Sequence, residues 1–388
     1  MKKGMRLTSL VAALLLIIFL SLTMAADKGK YPTTPKKNKG KKWRIGYLEG
    51  GRYINYPINL RELAAGFMEL GWMEKAQIPE PHETHDARKI WIWLARNGKS
   101  DYIQFVEDAF YSANFKNSLR ATTKTEVLKR LNDKGDIDFM VAMGTWAGQD
   151  LANNQHSVPT MVMSTSDPIQ SKVIKSAEDS GFDHIHAKVD PTRYIRQVRL
   201  FHEIIGFKKL GIAYEDSVDG RTYSAIADVE KVAKEKGFEV IKCEAPFSGV
   251  ERKVATAGVA KCYAELAPKV DAIYVTVHRG VYPEVMPEIL APLFKHRIPS
   301  FSQRGPVEVK YGVLLSIARA DFSEVGQWHA AMAAKIFNGA KPRDLNQIFE
   351  DPKKIALNLK TALLIGYDPP VDVLGAADEI YEEIAQAK

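Results

Sequence analysis

The chain has 388 residues and a formal net charge of +7, but the charge sits at one end. Residues 1–25 carry three basic groups and residues 26–44 carry eight against Asp27 alone, which leaves 43 basic and 46 acidic groups and a body near −3. The basic balance is therefore no sign of a nucleic-acid partner, and the stretch 43–388 is too long for one ordinary core, which implies two domains.

At the N-terminus Lys2, Lys3 and Arg6 precede an uncharged stretch from Leu7 to Ala26, and the small residues Thr23 and Ala25 mark a cleavage site after Ala25. This pattern predicts a cleaved signal peptide over 1–25 and a periplasmic or otherwise extracytoplasmic protein; an uncleaved membrane anchor is the competing reading. No cysteine lies near the cleavage point, so no thiol is present there to carry a lipid. Residues 26–42, basic and broken by Pro32 and Pro35, read as a solvated linker.

Strands and helices then alternate. Arg44 to Leu48 reads as a strand, Leu60 to Leu70 as a helix stopped by Gly71, Tyr102 to Val106 as a strand and Thr125 to Lys134 as a helix. The next two apolar runs, Asp138 to Met143 and Val158 to Met163, end in Gly144-Thr-Trp-Ala-Gly-Gln149 and Ser164-Thr-Ser-Asp-Pro168. Buried parallel strands look this way when their carboxyl ends open onto a ligand crevice. The second half repeats the pattern: helix Arg193 to Ile205, strand Lys209 to Tyr214, helix Thr222 to Lys236, strand Phe238 to Cys243, helix Val250 to Leu266 and strand Val270 to Val277. Pro283 to His296, Ile298 to Ser302 and Tyr311 to Ala318 continue it. The class is α/β, with two doubly wound parallel-sheet lobes around a cleft. Cys243 and Cys262 are the two thiols, and the sequence is compatible with one disulfide or with two separate buried thiols.

The chain resembles the ABC-transporter substrate-binding proteins of the type I periplasmic-binding fold, in the group similar to aromatic amino-acid binders. The resemblance is carried by the two turns just quoted, Val270 to Val275, the stretch Gly326 to Gly339 with its Gly-x-x-Pro, and the tail Ile355 to Ala362, Gly366-Tyr-Asp-Pro-Pro370 and Ala376 to Ile380. It implies a hinge of three segments, near 187–191, 317–321 and 345–349. Lobe 1 is then 43–187 with 318–345, and lobe 2 is 188–317 with 346–388. It further implies closure on a small molecule, an amino acid or other small carboxylate, and delivery to the membrane permease of an ABC importer. No cofactor, metal or nucleic acid is expected, and the protein is expected to be a monomer.

Strand-end positions give the candidate ligand contacts. In lobe 1 these are Tyr47, Glu49, Thr145, Trp146, Gln149, Thr165, Ser166 and Asp167; in lobe 2 they are Tyr214, Asp216, Ser217, His278, Arg279, Gln303 and Arg304. Thr145 and the amides after Gly144 are read as the seat of an anionic group, or Thr145 as a simple helix cap. Trp146 is read both as a stacking platform and as core. Amino-acid-binding relatives tend to show Asp-Asn and Ser-Asp-Glu where this chain has His278-Arg279 and Ser302-Gln303-Arg304. Acid is lost twice and guanidinium gained twice, which points to a ligand more acidic, or less amino-bearing, than a plain aromatic amino acid; arginines at the rim meeting only water are the plainer reading. Asp216 and Asp167 remain as possible amine partners.

Residues 75–100, with Trp91, Trp93 and Pro79-Glu-Pro81, form an insertion, read as a packed outer flap and alternatively as a lid. His82 with His85 and His184 with His186 lack a third ligand at metal-site spacing. The chain has no Gly-x-Ser-x-Gly, Walker or Gly-x-Gly-x-x-Gly motif. A sensing module for a membrane receptor and, further off, an exported hydrolase using Ser217 and His278 are the alternative functions.

Overall fold

The computed structural model describes residues 31–80, 86–317, 322–351 and 354–387. The signal-peptide assignment and the His82/His85 pair lie outside the described residues.

In lobe 1, β1 (Trp43–Glu49), β2 (Ile103–Ser112), β3 (Phe139–Met143), β4 (Thr160–Met163) and β5 (Ile185–Ala187) form a five-stranded sheet in the order β2-β1-β3-β4-β5. Every pairing is parallel. Successive side chains alternate between its faces: Ile45, Tyr47, Phe139, Val141, Met161 and Met163 enter one core cluster, while Leu48, Met140, Ala142 and Val162 enter another. Helices α1 (Asn55–Glu69) and α2 (Ala87–Asn97) cover the first face, through Leu60, Phe67 and Trp91. Helices α3 (Asn117–Asp133) and α4 (Thr145–Leu151) cover the second, through Val127 and Leu151.

Lobe 2 builds a seven-stranded sheet, β12-β11-β10-β9-β8-β6-β7. Its elements in chain order are α5 (Arg193–Ile205), β6 (Lys209–Tyr214), α6 (Val218–Tyr223), α7 (Ile226–Lys236), β7 (Glu239–Glu244), α8 (Arg252–Leu266), β8 (Ala272–Val275), α9 (Met286–Lys295), β9 (Ser300–Ser302), α10 (Pro306–Lys310) and β10 (Leu315–Ser316). After α11 (Ser323–Phe337) come β11 (Ile355–Asn358), α12 (Leu359–Ile365), α13 (Val371–Ala376) and β12 (Ala377–Tyr381). The β10–β11 pair is antiparallel and the other pairings are parallel. Leu210, Ile212 and Tyr274 pack on one face with α5 and α7; Ala213, Ile273 and Val275 pack on the other with α8 and α9.

The chain returns from lobe 2 to lobe 1 for α11, whose Ala330, Ala333 and Phe337 join the first lobe's core. This helix lies so close to α1 that a Cβ on Gly326 would come within 2.5 Å of the Glu62 backbone, and one on Gly66 within 2.7 Å of Ala330. We expect Gly326→Ala to destabilise the protein by about 1–3 kcal/mol through overpacking; an unchanged denaturation midpoint would show that the helices can move apart freely. Residues 187–191 and 345–349 run side by side between the sheets. They are joined by the Val189–Ile348 bridge and the bonds from Val189 N to Gln347 O (2.9 Å) and Phe349 N to Val189 O (3.0 Å). Ile317 is the described end of the third crossing.

Several expectations need correction. The described part of the basic linker does not run free: Thr33 and Thr34 offer carbonyls to Trp72 Nε1 (2.8 Å) and Asn338 Nδ2 (2.9 Å), which holds it against lobe 1. The helix expected over 222–236 is broken, because Ala225 takes the left-handed conformation at φ 51° between α6 and α7. The expected strand 311–318 shrinks to Leu315–Ser316 behind Gly312 at φ 110°. The insertion, by contrast, packs as the outer flap expected: Trp91 of α2 is fully buried and donates to Val106 O (3.1 Å) on edge strand β2. Cys243 and Cys262 form a disulfide between β7 and α8.

Candidate functional site

The carboxyl ends of the central strands from both sheets face one cleft with about 860 Å³ of open space. Its lobe-1 wall has Tyr53, Asn55 and Asn59 at the start of α1, Ser164, Thr165 and Ser166 after β4, and His329 on α11. Lys188 on a crossing segment, Arg193 and Tyr194 at the start of α5, Val277, Arg304, Phe349 and Asp351, together with Phe322, Glu324 and Val325 at the start of α11, complete the lining. Ser164 has a left-handed backbone, φ 57°, an unfavourable state for a residue with a Cβ that is found where a site dictates backbone direction.

Two properties of this cleft matter chemically. The first is polar atoms left without partners: Thr165 Oγ1, Arg193 Nε and both ring nitrogens of His329 are buried with no hydrogen bond among the described residues. Buried polar groups are nearly always satisfied, so these atoms carry unused hydrogen-bonding capacity at the cleft. Burial first, then the nearby His186 and Lys188, holds His329 well below its ordinary value, so its ring is neutral. The second property is a cluster of opposite charges, with Lys188, Arg193 and Arg304 lining the same space as Asp351 and Glu324. Asp351 meets both Lys188 (3.0 Å) and Arg193 (3.4 Å), so one carboxylate serves two cations. Burial pulls Lys188 below the ordinary lysine value despite that carboxylate.

Adjoining the cleft is an aromatic pocket lined by Tyr53, Tyr56, Phe115, Trp146, Tyr223 and Phe247, with Thr145, Ser164 and Ser166 on its polar side. Glycines make room for it. A Cβ on Gly51 would meet Phe115 N at 2.5 Å, and one on Gly144 (φ 88°) would fall 1.8 Å from the Tyr56 hydroxyl. Phe115 crosses toward Phe247 edge-on (6.2 Å), so the pocket is closed by one ring from each lobe.

The sequence-predicted contacts divide sharply. Thr165, Ser166 and Arg304 line the main cleft, and Thr145 and Trp146 line the aromatic pocket. Arg279 faces a third space beside them. Of the other nine, Asp167 lines a smaller space beside the main cleft, and eight are held by packing or bonds to their own neighbours. Tyr47 is fully buried, stacks on Phe110 (4.7 Å) and donates to Glu49 (3.0 Å), which also accepts from Ser112. Gln149 accepts from Arg120 (2.7 Å) and donates to Asp219 (2.9 Å). Asp167 caps the following turn, accepting from the amides of Ile169 and Gln170. Tyr214 is buried in the lobe-2 core, Asp216 pairs with Arg221 (3.2 Å) near the surface, and Ser217 caps α6 by accepting from Gly220 N. His278 is buried and accepts from Gly280 N (3.1 Å), and burial above all lowers it to about 4. Gln303 is fully buried, accepting from Val277 N (2.7 Å) and donating to Tyr223 O (2.9 Å). Asp216 is thus turned toward Arg221 near the surface, whereas Asp167 lines a smaller space with Thr165, Ser166, Lys188 and Arg193 of the main cleft.

Sequence reasoning missed Tyr53, Tyr56, Lys188, Arg193, His329 and Asp351. The signal for the tyrosines was present in Gly50-Gly51, which lets the chain turn from β1 directly into a helix that faces the cleft. Lys188 and Asp351 lie on or beside the crossing segments, a place where strand-end logic does not look.

Burial above all raises Glu49 to about 8. A carboxyl with a folded value above its unfolded one binds more protons folded than unfolded, so its contribution makes stability fall as pH rises from about 4.5 to about 8. Glu49→Gln should remove a slope of up to about 1.4 kcal/mol per pH unit in that window. Denaturation of both proteins at several pH values checks this, and parallel pH profiles would refute it.

Two lobes built on largely parallel sheets and facing one cleft, with two crossing segments side by side, define the two-lobe type I periplasmic-binding fold. Residues 104–380 match the model of the family described as ABC transporter substrate binding protein; the chain belongs to this family. It is similar to a tyrosine-binding protein of Clostridioides difficile (strain R20291), 22% identical over 274 residues, covering 68% of this chain and 74% of that protein. Among solved structures, the ABC domain from Streptococcus pneumoniae in complex with L-Trp has a TM-score of 0.66 at 20% identity, covering 88% of this chain and 100% of that one. A conserved domain protein of Vibrio cholerae has a TM-score of 0.66 at 17% identity, with the same coverage. Relatives in this family are substrate-binding proteins, not enzymes, and the family is typically extracytoplasmic. Among the described residues no helix is long and apolar enough to cross a membrane.

Proposed function

We propose that this chain is the extracytoplasmic, monomeric solute-binding component of an ABC importer, that it captures a small carboxylate-bearing molecule in the cleft, and that it presents the closed form to a membrane permease. The observation that carries this reading is the cleft's combination of unpartnered polar atoms, Thr165 Oγ1, Arg193 Nε and the His329 nitrogens, with two cations on the single carboxylate of Asp351. An anion entering there acquires partners among these donors that the described residues do not supply, and Glu324 lines the same cleft. The aromatic pocket beside it accepts a ring or other flat apolar group. The relatives' names, tyrosine-binding and in complex with L-Trp, support a ligand with a ring and a carboxylate. We place the hinge at 187–191, 317–321 and 345–349, with lobe 1 as 43–187 and 318–345 and lobe 2 as 188–317 and 346–388. Ligand binding shifts the population toward closure.

The test is a thermal-shift and calorimetric panel on residues 26–388 with aromatic amino acids, aromatic acids, dicarboxylates and phosphorylated metabolites. A bound carboxylate at about 100 times its dissociation constant should add about 2.7 kcal/mol to the native state and be recovered chemically unchanged. If Arg193→Gln and Thr165→Val left that binding intact, the cleft would not be its site.

A further inference from the structure

We propose that Arg52, Arg252, Arg279 and Arg304 form an anion subsite beside the cleft, so that the solute bound there carries a second acidic group, carboxylate or phosphate, beyond the one met by Thr165 and Arg193. The inference rests on the solute-binding reading above and deepens it.

These four arginines, with Tyr53, Ile54 and Val281, enclose about 690 Å³ of open space. Tyr53 and Arg304 also line the main cleft, so the two spaces adjoin and one small molecule can reach both. The charge count around the space is unequal. Arg304 pairs with Glu308 (3.0 Å) and Arg52 with Asp86 (3.0 Å), but Arg252 and Arg279 pair with no carboxylate among the described residues. Arg279 Nη1 donates to the carbonyls of Val250 (2.9 Å) and Phe247 (3.4 Å), and Arg252 Nε donates to Arg279 O (3.3 Å). The Arg252 guanidinium also stacks 3.5 Å over the Tyr282 ring. An arginine has five N–H donors, so most of the donors on this pair remain available to a guest. Both groups are pulled below the ordinary arginine value, first by burial and then by neighbouring cations, Arg304 acting on Arg252 and Arg252 on Arg279. The exposed Glu284 attracts Arg252 from beyond ion-pair distance and does not cancel the surplus.

Gathering partly buried like charges is unfavourable unless an anion completes the set, and guanidinium forks match the two oxygens of a carboxylate or phosphate. The insertion contributes to this geometry, because Asp86 both caps α2 and holds Arg52.

The experiment is calorimetry on residues 26–388 with probes matched in pairs: O-phospho-L-tyrosine against L-tyrosine, and malate against lactate. The expected result is a doubly acidic probe binding at least about tenfold tighter than its singly acidic partner. Arg252→Gln combined with Arg279→Gln should erase that preference and leave the affinity for the singly acidic partner unchanged, which also shows that the variant folds. Arg252→Gln alone serves if the double variant does not fold, since its side chain braces a single carbonyl. Tighter binding of the phosphorylated probe or of malate tells which oxyanion the subsite takes. The proposal is overturned if no doubly acidic probe binds more tightly than its partner, or if the preference survives the substitutions. Singly acidic binding that persists without a preference would leave the solute-binding reading standing and remove only the subsite; absence of binding by every carboxylate would remove both.

Discussion

Arg304→Ala is expected to lower stability by about 3–5 kcal/mol, the cost of leaving a buried charge without its partner. Arg304 and Glu308 are 9% and 2% exposed and meet at 3.0 Å, with Ser302 Oγ donating to the other Glu308 oxygen. Burial already raises Glu308, and Arg304 is what opposes that rise. Without the guanidinium the carboxyl rises further and keeps its proton in the folded state. Such a group stabilises less as pH increases above its unfolded value, so the variant should be nearest to wild type around pH 4–5 and weakest near pH 8. Denaturant titrations at both pH values check the sign. Replacing both partners by apolar residues, Arg304→Met with Glu308→Leu, should restore most of the stability without restoring the ligand contact. If Arg304→Ala were as stable as wild type at pH 8, the pair would not be the buried unit described here.

That pair shows why the site was only partly legible in the sequence. The fold could be read because its signals are local. Apolar runs such as Met140 to Met143 and Lys209 to Tyr214 alternate with amphipathic helices, and each became a strand with side chains divided between two cores. The insertion was visible as excess length, and Trp91 and Trp93 were visible as apolar cargo within it, but not the Asp86 cap that starts its helix. The site is different in kind. Strand-end position selects a neighbourhood and says nothing of which polar side chain is already satisfied. Gln303 and Gln149 follow strands as a ligand contact would, yet their amides are consumed by Val277, Tyr223, Arg120 and Asp219. Lys188, Arg193 and Asp351 are brought together only because two crossing segments run side by side. Arg252 and Arg279 are 27 positions apart and reveal their shared lack of a carboxylate only in three dimensions.

The second large effect is expected at Asp219, a residue of the short helix α6 that no strand-end argument selects. Its carboxylate belongs to lobe 2 but accepts from two lobe-1 side chains, Trp146 Nε1 (3.1 Å) and Gln149 Nε2 (2.9 Å), with Arg120 Nη1 at 3.8 Å. Arg120 is fixed in turn by Asp150 (3.1 Å) and Gln149 Oε1 (2.7 Å), and its guanidinium lies 4.5 Å from the centre of the Trp146 ring. A preassembled lobe-1 network therefore closes on one lobe-2 acceptor at the edge of the aromatic pocket. These bonds cross between the lobes, so their free energy belongs to the contact between the lobes and not to either core. Hydrogen bonds to a charged acceptor contribute about 1.5–3 kcal/mol each when buried; with Asp219 and Arg120 20% and 25% exposed, solvent screening lowers that figure. Asp219→Ala should thus weaken ligand binding by about tenfold to a hundredfold, because a closed form that is less populated binds with proportionally lower apparent affinity. Its thermal midpoint without ligand should stay close to wild type, and its radius of gyration by X-ray scattering should rise. Asp219→Asn, which keeps one acceptor oxygen, should fall between the two. A variant with full affinity and an unchanged radius would mean that Asp219 is not what holds the lobes together.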